Sequence, residues 1–324
     1  MSPEQTPRYE GISPKAFQHP SDRAATAALA SVPLMERVIK RLVDIGHERR
    51  LRQLLVGNAV EISDKQVPEL WDKHCATAAA LGVNVPDLFV TQAPLANALA
   101  VGAKRPMIVL FSGLVRDYNS EEVDSVLGHE MGHVLCEHNY YQTAAQLLAM
   151  LLRSGGLVGA AGLPVRAMYM VLLEWSRMAE LSADRASALV VGDPRVTCQM
   201  LMRMAGGALD GMSLDAFLAQ AARYEEEDDL LARWSRAWVE VYVTHPFAVR
   251  RAQELMRWVA GGEYDRIRDG NYIRRGQEAP VPAEMGAAVA HYRDRFMRML
   301  GNAAGGVDKV LRQLEHWLNR ETDA

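Results

Sequence analysis

The stretch His129-Glu130-Met131-Gly132-His133 is the most chemically loaded part of the 324-residue sequence. Residues four apart stack on one face of a helix, so both imidazoles can reach one metal ion, while Glu130 projects about 100° around the axis. That offset suits a base acting on metal-activated water, not a ligand. A zinc ion held this way needs at least one more protein ligand and an open position for water. The longer HExxHxxGxxH pattern would supply that ligand nearby, but Cys136 and Asn139 stand where its glycine and third histidine belong. On a continuing helix His138 lies about 180° from His129, which makes it a packed or supporting histidine before a ligand. Cys136, one turn further along the metal face, reads as a small buried thiol.

Glu180 and Asp184, again four apart, offer the missing ligand from a second helix. Glu180 can bind the metal while Asp184 reaches a ligand imidazole and fixes its tautomer. Two such carboxylates in isolation are more often solvated. Here Met178, Leu181, Ala183, Ala186, Leu189 and Val190 surround them with a buried helix.

Two helices must therefore be brought together beside a surface for substrate. Asn119, with Glu122 three positions on, caps a long helix running through Val123, Leu127, Val134 and Leu135 to about Leu152. Upstream, Val32 to Leu54 carries apolar residues at a helical period, and a second helix runs from Val67 to Leu81. Asp87–Gln92, Ala96–Val101 and Met107–Phe111 are short runs bounded by Pro86, Pro94, Gly102 and Pro106, as strands would be. The remainder is mainly helical, with breaks at Gly155–Pro164, Gly192–Pro194, Gly206–Met212, the acidic run Glu225–Asp229, Pro246 and Gly261–Gly276. A helix from Pro282 to Leu300 precedes an apolar stripe of Val307, Val310, Leu311, Leu314, Trp317 and Leu318. That stripe packs on the catalytic domain, makes a dimer contact, or covers the cleft.

With 49% hydrophobic residues the chain can bury a sizeable core without staples, and its net charge of −4 argues against nucleic acid as a partner. Cys75, Cys136 and Cys198 are odd in number and far apart, which points to a reducing, cytoplasmic setting. Met1 to Pro20 is polar and lacks the apolar stretch of an export signal. Between Asn139 and Leu173 the only charges are Arg153 and Arg166, yet neither uncharged run reaches the ~18 to 20 apolar residues that a bilayer requires. Two buried helices joined by a glycine-rich turn are expected, with no integral membrane span; peripheral membrane contact through an exposed hairpin tip stays open.

The order of these motifs resembles the HtpX-like and CAAX-prenyl-endopeptidase family of zinc metallopeptidases, within the gluzincin group, from about Leu88 to Leu255. Asn97-Ala98-Leu99-Ala100-Val101-Gly102 resembles its NAF-type strand, Met107 to Leu114 its next strand and SGL turn, and Ser120 to His133 its HExGH helix. Glu180 to Pro194 resembles its E-x-x-A-D-R segment and Gly-Asp-Pro stop, and Thr244-His245-Pro246 with Arg251 its THP-x4-R element. Departures are Leu99 for a frequent Phe, Phe247 for a second Pro, and the absence of the spanning segments of HtpX-type members.

The resemblance implies an α+β, predominantly helical, gluzincin-like fold with a small sheet beside the HExxH helix. It implies one Zn²⁺ per chain on His129, His133 and Glu180, with Glu130 as general base, Asp184 orienting His129, and His245 as oxyanion donor. Arg251 would hold His245 or a substrate carbonyl. The Asn97–Val101 segment would be the sheet's edge, where an extended peptide adds as a strand against Asn97 and Ala98. The expected activity is zinc-dependent endoproteolysis of unfolded or flexible polypeptides. A different outcome is a latent or non-catalytic metal-containing binding or regulatory protein whose cleft is closed by its tail or by the turn at Ser154–Val165. The expected organisation is an N-terminal helical region (1–85), a metallopeptidase core (86–260) and a C-terminal helical extension (261–324), all in one compact unit. A homo-oligomer through the C-terminal helices is the alternative role for that extension.

Overall fold

In the computed structural model, residues 8–44, 47–153, 162–207, 209–226, 247–278 and 285–301 are described. The chain begins with helices α1 (Pro20–Ala30), α2 (Pro33–Asp44) and α3 (His47–Asn58), then strand β1 (Val60–Ile62) and α4 (Pro68–Leu81). Strands β2 (Asp87–Thr91), β3 (Ala98–Val101) and β4 (Met107–Phe111) follow, and a short α5 (Ser112–Asp117) leads into α6 (Ser120–Leu135). The rest is helical: α7 (His138–Arg153), α8 (Leu163–Val191), α9 (Pro194–Gly206), α10 (Leu214–Glu226), α11 (Ala248–Ala260), α12 (Glu263–Arg268) and α13 (Met285–Leu300). The fold is α+β and mainly helical, as expected.

Met107–Phe111 is an unbroken apolar run and takes an interior place in a four-stranded sheet of order β1-β2-β4-β3. It pairs parallel with β2 and antiparallel with β3, leaving β3 at the edge. Asn97 lies opposite Phe111, whose N–H donates to the Asn97 carbonyl at 2.9 Å. By the alternation of an antiparallel ladder, the peptide groups of Ala98 and Ala100 then point away from β4. The next outward position, Gly102, is taken by α7: its N–H donates to Thr143 Oγ1 at 3.0 Å and its carbonyl accepts from Asn139 Nδ2.

Helix α6 opens with a reciprocal cap, in which the Asn119 side chain accepts from the Glu122 N–H and the Glu122 carboxylate accepts from the Asn119 N–H. The expected helix to Leu152 does not continue. It stops at Leu135, and Glu137 takes a left-handed backbone, φ 59°, before α7 starts in a new direction. The Val32–Leu54 helix is likewise divided, into α2 and α3. β1, α1 and α5 were not foreseen; the first is three residues long and the last six, too short for a period to show.

The buried apolar residues form two large clusters. One joins the sheet to α6, the C-terminal part of α8, α9 and α11; the other joins α1, α2, α7, the N-terminal part of α8, and α13. The 29-residue α8 runs through both. It ends where Gly192 adopts φ 74° and Asp193 caps α9, at the predicted break. The stripe at 307–318, the Thr244-His245-Pro246 element, most of the Glu225–Asp229 run and most of the Gly155–Pro164 turn lie outside the described residues.

Candidate metal centre

The site forms where α6 crosses α8, and two glycines set how closely the helices approach. A Cβ at Gly132 would sit 2.6 Å from the Ala186 Cβ and 3.1 Å from the Ala183 Cα; one at Gly128 would sit 3.0 Å from the Val190 Cβ. The x-Gly-His of the motif is therefore a packing requirement, which the spacing of the two histidines did not disclose. Behind the metal face the Ser187 hydroxyl donates to the Ser125 carbonyl at 2.7 Å, tying the helices together.

His129, His133 and Glu180 are buried, and each presents one donor atom to a point where all three lie within 4.8 Å of one another. His129 Nε2 and His133 Nε2 are 3.1 Å apart, and each is 3.4 Å from a Glu180 oxygen. Two ligand nitrogens on a tetrahedral ion with bonds of about 2.0–2.1 Å are separated by about 3.3 Å, so this spacing fits a small divalent metal. The charges fit as well. Glu130, Glu180 and Asp184 supply three buried carboxylates against one buried guanidinium, Arg251, a formal balance of minus two that a divalent cation neutralises.

Asp184 stands behind His129, with Oδ1 3.1 Å from the His129 Nδ1, the contact expected of a residue that fixes a ligand tautomer. Arg251 departs from expectation. Its side chain forks onto Asp184, Nε to Oδ2 at 2.8 Å and Nη2 to Oδ1 at 2.6 Å, and its Nη1 lies 3.0 Å from Glu180 Oε2. It thus engages the acidic pair of α8, because α11 packs directly on that helix; His245 is not among the described residues. Burial works against charge on His129, but Asp184 and Glu180 outweigh it and raise its pKa to about 9; for His133 burial, reinforced by His129, lowers the pKa to about 4. A metal that binds both as neutral imidazoles must displace a proton.

His138 lies against His133, Nδ1 to Nδ1 at 3.0 Å, because the turn at Glu137 carries it back over the metal helix. Cys136 is the C-cap of α6 and only partly buried; burial pushes its thiol well up. A cleft of about 280 Å³ opens onto Glu130, with β3 along one wall and Gln142, Ala145, Tyr169 and Leu173 of α7 and α8 along the other. The Asn97 side chain accepts from the Ala98 N–H at 2.9 Å, at the strand's start.

The profile of peptidase family M48 matches residues 64–259. The chain belongs to peptidase family M48. It is 34% identical over 263 residues to the "Plastoglobule-localized metallopeptidase 48, chloroplastic" of Arabidopsis thaliana, a match covering 79% of this chain and 76% of that one. A "Protease HtpX homolog" of Moorella thermoacetica is 26% identical over 225 residues, covering 61% of this chain and 75% of the relative. No solved structure matches. An HtpX-like M48 metallopeptidase is a metal-using protease with polypeptide substrates. No described helix is long and apolar enough to cross a membrane.

Proposed function

We propose that this M48 peptidase is a zinc-dependent metalloendopeptidase acting on unfolded or flexible polypeptides, with one Zn²⁺ per chain on His129, His133 and Glu180. The observation that carries this reading is the convergence of those three buried donors at the mouth of a cleft that also holds Glu130 and the sheet's edge. When bound, zinc polarises a carbonyl and acidifies water toward a pKa of about 7. Glu130 takes the proton of the attacking water and passes it to the leaving amine. Asp184 holds the His129 ring in place, and Arg251 holds Asp184 and Glu180. His245 donates to the oxyanion; its truncation to Ala lowers kcat about a hundredfold to a thousandfold with KM little changed.

Substrate is held in extended form against β3. The outward peptide groups of Ala98 and Ala100 support this, and Asn97 swings its amide from the Ala98 N–H to the incoming strand. Backbone pairing reads no side chains, hence the preference for unfolded segments. We further propose a cytoplasmic enzyme with at most peripheral lipid contact, built as one unit in which 1–85 and 261–324 pack on the 86–260 core. Free thiols at Cys75, Cys136 and Cys198 support the reducing compartment, and the plastoglobule in the name of the Arabidopsis relative supports lipid proximity.

The test is cleavage of casein by zinc-loaded protein. Glu130→Gln keeps its zinc and loses about a hundredfold to ten-thousandfold in rate; equal cleavage by both proteins rejects the mechanism. Glu180→Ala loses the zinc, read by metal analysis, and undiminished zinc rejects the ligand.

A further inference from the structure

Helix α1 precedes the stretch matched by the M48 profile, yet it places a carboxylate behind the metal centre. Asp22 is 0% exposed. Its Oδ2 accepts from Ser182 Oγ at 2.6 Å and Gln18 Nε2 at 2.9 Å and lies 3.0 Å from His138 Nε2; its Oδ1 accepts from Thr26 Oγ1 at 3.0 Å. Burial works to raise its pKa, but His138, Ser182 and Gln18 outweigh that and hold it well below the usual carboxylate range.

The hydrogen-bond directions around Asp22 are fixed from behind. The His19 backbone N–H donates to Ser182 Oγ at 2.9 Å, and the Trp175 indole N–H donates to Thr26 Oγ1 at 2.8 Å. An N–H can only donate, so both hydroxyl protons turn toward Asp22. An ionised carboxylate has nothing to give back, and His138 must carry its proton on Nε2. The 3.0 Å contact between His138 Nδ1 and His133 Nδ1 holds a single proton, and when His133 gives its Nε2 lone pair to a metal that proton belongs to His133, leaving His138 Nδ1 the acceptor. His133 then keeps its proton on Nδ1 and turns the lone pair of Nε2 toward His129 and Glu180.

We propose that Asp22 and His138 are positioning residues, a relay from the N-terminal helix that locks His133 in its metal-binding tautomer. It rests on the metal-centre assignment above. The two ligand imidazoles are thereby served alike, His129 by Asp184 directly and His133 by Asp22 through an intervening ring. The left-handed backbone at Glu137 serves this arrangement, since a continuous helix would carry His138 to the opposite face.

The experiment compares full-length wild type, His138→Phe and His138→Gln, stripped of metal and titrated with zinc against a competing chelator. Phe keeps a ring against Trp175, 5.5 Å away between centroids, but has no acceptor; Gln offers a carbonyl to His133 and an N–H to Asp22. Zinc binding is expected to weaken about tenfold to a hundredfold in His138→Phe and to stay within about threefold of wild type in His138→Gln. In ¹⁵N spectra of the zinc-loaded wild type, His138 should be the Nε2–H tautomer and His133 the Nδ1–H tautomer. Equal affinities in all three proteins, or equal losses in both variants, overturn the proposal. So does any protonation of His138 other than Nε2–H, a measurement that decides alone if His138→Phe does not fold. Zinc bound as well by Glu180→Ala as by wild type would instead refute the metal-centre assignment.

Discussion

Arg251 shows how a residue can be singled out in the sequence while its contacts with Asp184 and Glu180 go unseen. The spacing after His245 marks it as belonging near the active site, but only the packing of α11 against α8 reveals that it neutralises Asp184 and Glu180. Replacing it with Met keeps the bulk and leaves two buried carboxylates without their cation. In the metal-free protein this should cost about 3–5 kcal/mol of stability, measured by denaturant titration, with much of the loss regained on adding zinc. The grouping of His129, His133 and Glu180 was legible because i, i+4 spacing on a helix is a geometric statement in itself. Asp22 was not. It lies more than 100 residues from His138 in the chain, on a helix of alanines with little amphipathic signal, and nothing local ties it to the site.

At the scale of elements, the centre depends on how near two helices can come. Gly128 and Gly132 present no side chain to Ala183, Ala186, Ser187 and Val190, and the donors of α6 and α8 meet only because of that seam. Gly132→Ala pushes a methyl into the Ala186 side chain, so the helices must part. We expect a loss of about 1–3 kcal/mol in thermal or chemical unfolding together with weaker zinc binding, measured by chelator competition. An unchanged zinc affinity would show that the donors tolerate a wider crossing. Strands β2, β3 and β4, α4 and the capped start of α6 were visible in the sequence because prolines, glycines and a capping box mark their ends. The break after Leu135 was not, since Cys136 and Glu137 are ordinary helix residues. The left-handed backbone at Glu137 turns the chain there and goes with the His138–His133 contact, a tertiary feature that local preference does not encode.

For the whole molecule, the long helix α8 couples the two apolar clusters, so stability and metal binding should rise and fall as one. Chelation of the metal is expected to lower the melting temperature in a single transition followed equally by near- and far-ultraviolet circular dichroism; two separate transitions would contradict that coupling. Alkaline pH is a second probe. Burial pushes the Cys198 thiol from 9.0 up to about 12 and the Tyr141 phenol from 10.0 up to about 12. In the unfolded chain these groups ionise at their ordinary values, so the stability they contribute is complete below about pH 9 and is lost as pH climbs toward about 12. Cys198→Ala should flatten that decline, as read from denaturation midpoints at pH 8 to 11.

The β3 edge has a consequence for how substrates are consumed. Its peptide groups at Ala98 and Ala100 point away from β4, with Ala100 buried and the Ala98 N–H held by Asn97, and Thr143 and Asn139 close it at Gly102. If substrate pairs with this short edge as proposed above, the few backbone hydrogen bonds it can make, at about 0.5–1.5 kcal/mol each, are too few to retain a polypeptide between one scission and the next. On that proposed reading the enzyme would release its fragments after every event and work distributively, so early digests should hold large intermediates rather than short peptides beside intact substrate.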